Sequence, residues 1–221
     1  MSLSRILEVE YMDTSDEARE YDSMDHSTVN RKFVDDLLAV GELPDDVLDL
    51  GTGTARIPIE LCRRHETCRV MAVDAATHML DVAYYNVEIA GLIDRIQLAH
   101  ADAKRLTYPD RMFGAVVSNS ILHHIPEPLD VLREAVRVLA PGGRIFFRDL
   151  LRPDSQATLD HLVQTYAGGE SDAARKMFDD SLHAALTLEE IRSLVMQLGF
   201  APESVQATSD RHWTWSAVRP S

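Results

Sequence analysis

Five short segments rich in branched and aromatic residues punctuate the middle of the chain, with stretches of helical spacing between them. They are VLDL (47–50), RVMAVD (69–74), IQLAHA (96–101), FGAVVSN (113–119) and RIFFRDLL (144–151). Apolar residues fall on both faces of these segments, so each is expected to be a strand covered on both sides. The covers are the intervening helices, expected over Ile57–His65, Thr77–Ala90 and Pro128–Leu139. In the last of these, Leu129, Leu132, Val136 and Leu139 form one stripe, and Pro141-Gly142-Gly143 reads as its stop. Strand-helix alternation of this kind closes only as a parallel sheet with right-handed crossovers.

The flanks read differently. Val29, Phe33, Leu37 and Val40 keep helical spacing up to Gly41. Beyond Arg152, residues 155–183 are helical and mixed in polarity. LTLEEIRSLVMQLG (186–199) is a helix burying Leu188, Ile191, Leu194, Val195 and Leu198. SVQAT (204–208) and HWTWSAV (212–218) read as an antiparallel hairpin at a sheet edge. The expected fold is α/β: a doubly wound, Rossmann-like, mostly parallel seven-stranded sheet with an antiparallel C-terminal hairpin and a helical cap. The 221 residues are expected to form one domain. Within it, 1–42 is a helical cover, 43–151 a ligand-binding core, 152–185 a helical lid insert, and 186–221 the last helix and edge hairpin.

Charge restricts the partners. Lys and Arg total 22 against 36 Asp and Glu, a net charge of −14, and there is no basic run that would override it for a nucleic acid. No apolar run is long enough to cross a bilayer, and the first residues lack the pattern of a secretory leader. Cys62 and Cys68 suit neither a disulfide framework nor a metal set, and are expected to be packing thiols in the cytoplasm. Nine histidines include no pair at helical i,i+4 spacing, so no metal is expected.

The turn after the first strand, Gly51-Thr52-Gly53-Thr54-Ala55-Arg56, sits where an open parallel sheet binds ligands. A dinucleotide fingerprint would need a third glycine at position 56, and a P-loop would need Gly-Lys-Ser/Thr; the chain has neither. Asp74 ends the second strand, placed to accept ribose hydroxyls. Asp102 follows the third strand, and the fourth runs into Ser118-Asn119-Ser120-Ile121-Leu122-His123-His124.

Taken in order, these residues resemble the class I S-adenosylmethionine-dependent methyltransferases of the small-molecule type, across 45–150. The resemblance implies that S-adenosylmethionine is the cofactor and S-adenosylhomocysteine the product. It implies that Asp49, Gly51, Thr52 and Gly53 carry the methionyl part, that Asp74 with Ala75 holds the ribose, and that Met79 packs on adenine. Asp102 with Ala103 would read the adenine edge, and Asn119 would border the methionyl group. Ala55 stands where the family often has another glycine.

For the acceptor, the candidates are His123 and His124 after the fourth strand and Arg148-Asp149 at the end of the fifth. Arg148 and Asp149 are alternatively an ion pair with each other. Tyr11 and Tyr21 in the leader, His161 and His183 in the insert, and Arg211 and His212 in the hairpin are expected to border the substrate. The fourth strand lacks the Asn/Asp-Pro-Pro-Tyr stretch of enzymes that methylate amino groups of bases or glutamine. Neither cysteine is placed for pyrimidine carbon-5 or arsenic chemistry. A small-molecule acceptor remains, with O-, N- and C-methylation open, and with no nucleic acid or membrane as partner. The protein is expected to be a monomer or homodimer. A nicotinamide oxidoreductase is disfavoured by Arg56 and Asp102; a non-catalytic cofactor-binding sensor or partner protein is the alternative.

Overall fold

The computed structural model describes residues 3–8, 14–24 and 27–220. Seven strands join in one sheet in the order β3-β2-β1-β4-β5-β7-β6. The strands are β1 (Asp46–Leu50), β2 (Arg69–Asp74), β3 (Ile96–His100), β4 (Phe113–Asn119), β5 (Leu139–Leu150), β6 (Val205–Ala207) and β7 (His212–Val218). β1 pairs in parallel with both β2 and β4, β2 with β3, while β6 and β7 are antiparallel. The strand order reverses between β1 and β4, which is the place where doubly wound sheets open for ligands.

The chain divides into two compact units. The larger comprises Tyr11–Asn119, Asp130–Phe147 and Ser216–Ser221. Its helices are α1 (Ser15–Ser23), α2 (Ser27–Ala39), α3 (Arg56–Arg64), α4 (Thr77–Ile89) and most of α5 (Pro128–Val138). Phe33, Leu37, Val47, Ile59, Leu61, Val70, Val117 and Phe146 share one buried cluster, with Phe33 edge-on to Phe146 at 5.2 Å. Each such side chain stabilises the fold by about 1.5–3 kcal/mol. Cys62 and Cys68 are buried free thiols in that cluster. Below them Arg95 ties the α3–β2 turn together by donating to the carbonyls of Cys62, His65 and Cys68.

The smaller unit comprises Met1–Glu10, Ser120–Leu129 and Arg148–Trp215. It holds α6 (Gln156–Ala167), α7 (Asp172–Ala184) and α8 (Leu188–Gln197). The helical stretch 155–183 is thus two helices, separated at Gly168-Gly169. Leu150, Leu159, Leu162, Leu182 and Ala185 bury together, joined by Leu3, Val163 and Phe178. A capping box starts α8: Thr187 accepts from the Glu190 amide while the Glu190 side chain accepts from the Thr187 amide. Glu190 also receives Arg152, 2.5 Å away. Trp213 and Trp215 are fully buried, with Phe200 edge-on to Trp215 at 5.1 Å.

One boundary departs from expectation. Pro141-Gly142-Gly143 does not separate α5 from a strand starting at 144; it lies inside β5, which begins at Leu139. The reason is Arg219 at the far end of the chain. The Gly142 amide donates to its carbonyl at 2.9 Å, and its own amide donates to Gly143 O at 2.8 Å. Its guanidinium caps α5 by donating to the carbonyls of Val136 and Leu139. A Cβ at Gly143 would lie 2.8 Å from the Gly114 and Ala140 carbonyl oxygens, so the strand approach requires glycine there.

Candidate functional site

In the turn after β1 three residues are left-handed: Gly51 at φ +69°, Gly53 at +55° and Ala55 at +61°. A side chain in that region costs about 1–2 kcal/mol, which explains glycine at two of the three positions. Space is not the constraint at Gly53, where a Cβ would meet only Tyr21 at 3.9 Å. Ala55 bears the strain as the N-cap residue of α3, its amide donating to Thr52 O at 3.0 Å. The Thr52 amide donates to Val73 O at 2.9 Å, tying the turn to β2.

Asp74 completes that tie. Its Oδ2 accepts the Gly53 amide at 2.7 Å and its Oδ1 the Ala76 amide at 2.9 Å, so one carboxylate orders the glycine turn and the entry of α4 together. Asp49 is 2% exposed, and its Oδ2 has no hydrogen-bond partner; the Thr52 hydroxyl is likewise buried and unpartnered. Burial pushes the Asp49 carboxyl up to about 7, the nearby Thr52 hydroxyl pulls the other way, and the Asp74 charge adds to the rise. A buried carboxyl with an empty oxygen is costly unless a donor arrives from outside the protein.

The turn opens on a cavity of about 660 Å³ lined by Tyr21, Gly51, Thr52, Gly53, Thr54, Asn86 and Asn119 among others, a volume typical of a small-molecule site. Its wall is braced by residues the sequence did not single out. Asp22 accepts from Arg56 at 2.7 Å and from Asn86 at 3.0 Å, and Asn86 also donates to Thr54 O at 3.0 Å. Arg56, which breaks the dinucleotide fingerprint, is therefore the anchor of α1. Tyr21, expected beside the substrate, lies in this wall and packs with Ala18, Ala76 and Met79. Burial, with Asp74 and Asp22 nearby, raises its phenol and keeps it neutral. Asp102 is half exposed and accepts from the Lys104 amide at 2.9 Å, with Ala103 in the same turn. Ala75 O lies 2.9 Å from His100 Nε2.

A second polar group belongs to the smaller unit. Ser120, left-handed at φ +60°, donates its amide to Arg148 O at 2.8 Å. Asp149 then accepts from the Leu122 amide and from His123 Nδ1, at 2.6 and 2.5 Å. Arg148 and Asp149 are not an ion pair with each other. Successive strand residues face opposite ways, and Arg148 donates to Thr214 at 3.0 Å instead. Burial raises the Asp149 carboxyl, but His123 and the Leu150 and Leu122 amides outweigh it and hold it below the usual range. Burial likewise disfavours the charged His123 ring, yet Asp149 and Glu8 carry its pKa above the ordinary value, with Arg5 opposing. An ionised Asp149 only accepts, so the proton sits on His123 Nδ1 and Nε2 faces away from it.

Nε2 faces Glu8, 3.5 Å from its Oε1, and His124 Nδ1 lies 3.1 Å from the same oxygen. Glu8 arrives because Arg5, three residues earlier, clamps the turn: it donates to the carbonyls of Leu122, His123, Ile125 and Pro126, and to Ala184 O at 2.7 Å. Ser181 holds Glu8 from the other side, its hydroxyl 3.1 Å from Oε1. Sequence reasoning missed Arg5 and Glu8, and no local signal marks them.

The remaining expected acceptor residues are scattered within this unit. His183 has a buried Nδ1 without a partner, and its Nε2 is 3.9 Å from Asp179. Arg211 stacks over the Tyr166 ring at 3.3 Å, beside Asp210, which accepts from the Tyr166 hydroxyl. His212 lies 2.8 Å from Ser209 Oγ; burial, with Arg211 and Arg148, lowers its pKa to about 4 and keeps it neutral. His161 is exposed. Tyr11 lies outside the described residues.

Residues 48–147 match the family model described as a methyltransferase domain. The chain is 31% identical over 179 residues to 27-O-demethylrifamycin SV methyltransferase of Amycolatopsis mediterranei, covering 79% of this chain and 62% of that protein. Over residues 48–147 the chain is similar to the class I S-adenosylmethionine-dependent methyltransferases. Demethylmenaquinone methyltransferase of Thermus thermophilus is 29% identical over 180 residues, covering 77% of this chain and 80% of its own length. A SAM-dependent methyltransferase from Aquifex aeolicus shares the fold at a TM-score of 0.68 and 17% identity, over 94% of this chain and 99% of that one. The chain thus spans under two thirds of the rifamycin methyltransferase. Among the described residues, no helix is long and apolar enough to cross a membrane.

Proposed function

We propose that this chain transfers the methyl group of S-adenosylmethionine to an oxygen, nitrogen or carbon atom of a small organic acceptor. The observation that carries the reading is the pairing of the braced Gly51–Gly53 turn with the buried, unpartnered oxygen of Asp49. A sulfonium amino acid supplies the missing donor through its ammonium group. A pyrophosphate would bring only acceptors to Asp49. Asp49, Gly51, Thr52, Gly53 and Asn119 then hold the methionyl part, and Asp74 with Ala75 the ribose. Met79 packs on adenine, and Asp102 with Ala103 reads its edge.

In this reading His123, which Asp149 orients, and His124 border the acceptor, and the helices of 152–185 cover it. Relatives named for 27-O-demethylrifamycin SV and demethylmenaquinone support a small, non-polymeric acceptor. The net charge of −14 supports an absence of nucleic-acid partners. The protein acts in the cytoplasm as a monomer or homodimer.

The test is release of S-adenosylhomocysteine from purified protein across a library of phenols, enols, amines and carboxylic acids. Turnover with one chemical class supports the reading. Tight cofactor binding with no turnover across the library favours a non-catalytic sensor.

A further inference from the structure

Glu8, His123 and His124 come together from two distant parts of the chain, yet they do not bond one another in the ordinary way. Glu8 Oε1 lies 3.1 Å from His124 Nδ1, which is buried and makes no hydrogen bond, and 3.5 Å from His123 Nε2, too far for one. All three ligand atoms fall within 4.8 Å of one another. The two histidine rings are 4.1 Å apart, centroid to centroid.

We propose that these three side chains form a binding site for one divalent cation of the zinc type. Bonds of about 2.0–2.1 Å in a tetrahedral shell place neighbouring ligand atoms about 3.3–3.4 Å apart. The 3.1 and 3.5 Å separations bracket that spacing. Two imidazole nitrogens and one carboxylate favour zinc over magnesium or calcium, which take oxygen ligands.

The surroundings are those of a prepared site. Asp149 fixes His123 through Nδ1 at 2.5 Å, leaving Nε2 as the ligating atom, in the carboxylate–histidine–metal arrangement. The Ser181 hydroxyl holds both Glu8 oxygens, at 3.1 and 3.2 Å. Arg5 pins the segment that carries Glu8 to the turn that carries the histidines. His123 is 5% exposed, Glu8 15% and His124 22%, so the three side chains are sheltered from bulk water. Three protein ligands leave a fourth position for water or a small oxygen ligand. The site stands on the smaller unit alone and does not depend on the methyltransferase reading.

The test is calorimetric titration of the full chain, freed of metal by a chelator, with zinc chloride. One zinc per chain is expected, bound at least tenfold more weakly by Glu8→Gln and by His124→Asn. Asp149→Asn should weaken binding ten- to a hundredfold through His123. His78→Asn, on an exposed face of α4, should bind zinc like the parent. Circular dichroism establishes that each variant is folded, and X-ray absorption should show only nitrogen and oxygen neighbours. Sub-stoichiometric binding, equal affinity in the parent and both ligand variants, or sulfur in the zinc shell would overturn the proposal.

Discussion

Asp74 accepts the amide of Gly53 at 2.7 Å, and so couples the end of β2 to the glycine turn 21 residues earlier in the chain. The carboxylate proposed to hold the ribose is therefore also what shapes the turn proposed to hold the methionyl group. Asp74→Ala should weaken S-adenosylmethionine binding by roughly 2–4 kcal/mol, since it removes charge-assisted bonds to ligand and turn together. Asp74→Asn, which keeps one acceptor, should fall between. Calorimetry that finds Asp74→Ala within twofold of the parent would reduce Asp74 to a helix cap.

Asp49 gives the account a pH signature. With its carboxyl raised to about 7, the empty protein holds this group largely protonated at pH 6. An incoming ammonium favours the ionised form, so binding at pH 6 should release a proton, and affinity should rise with pH until levelling off above about 7. Stability of the empty protein should change oppositely: because the folded-state value exceeds the unfolded one, Asp49 costs stability as pH climbs from about 4 to about 7. Titrations at pH 6 in buffers of different ionisation heat measure the proton. Asp49→Asn should abolish both effects.

The sheet was legible in the sequence because strands buried on both faces read as apolar runs with helices between them, as β1, β2 and β4 do. Asp74 and Asn119 were legible for the same reason, since they end strands whose positions those runs define, whereas Asp49 and Met79 were singled out only through the family resemblance. α1 was not, because SDEAREYDS has no apolar stripe; it buries only Ala18, and Asp22 anchors it through Arg56 and Asn86. Nor was Glu8, whose partners His123 and His124 lie far along the chain, or the strand through Pro141-Gly142-Gly143, which depends on Arg219. Contacts of that separation leave no local period to read.

Two adjacent glycines separate steric need from backbone need. Gly143→Ala would press a methyl against the Gly114 and Ala140 carbonyls and the Leu139 side chain, and should cost about 1–3 kcal/mol or more. At Gly142, left-handed at φ +72° with open space around it, alanine should cost only about 1–2 kcal/mol. Urea denaturation should order the stabilities parent, Gly142→Ala, Gly143→Ala. A reversed order would contradict the close approach of β5 to β4.

Asp149→Ala should destabilise by about 3–5 kcal/mol, because it strands a buried histidine and the Leu122 and Leu150 amides at once. Thermal unfolding would show this as a clear fall in Tm. A change within error would mean that the His123–Asp149 contact is not formed in solution.

The central claim is that the turn after β1 takes a sulfonium nucleoside rather than a pyrophosphate cofactor. Titrating the purified chain separately with S-adenosylmethionine, S-adenosylhomocysteine and NAD tests it directly. The account predicts one site for each sulfur ligand, weakened in Asp74→Ala, and no heat from NAD; binding of NAD with neither sulfur ligand bound would contradict it.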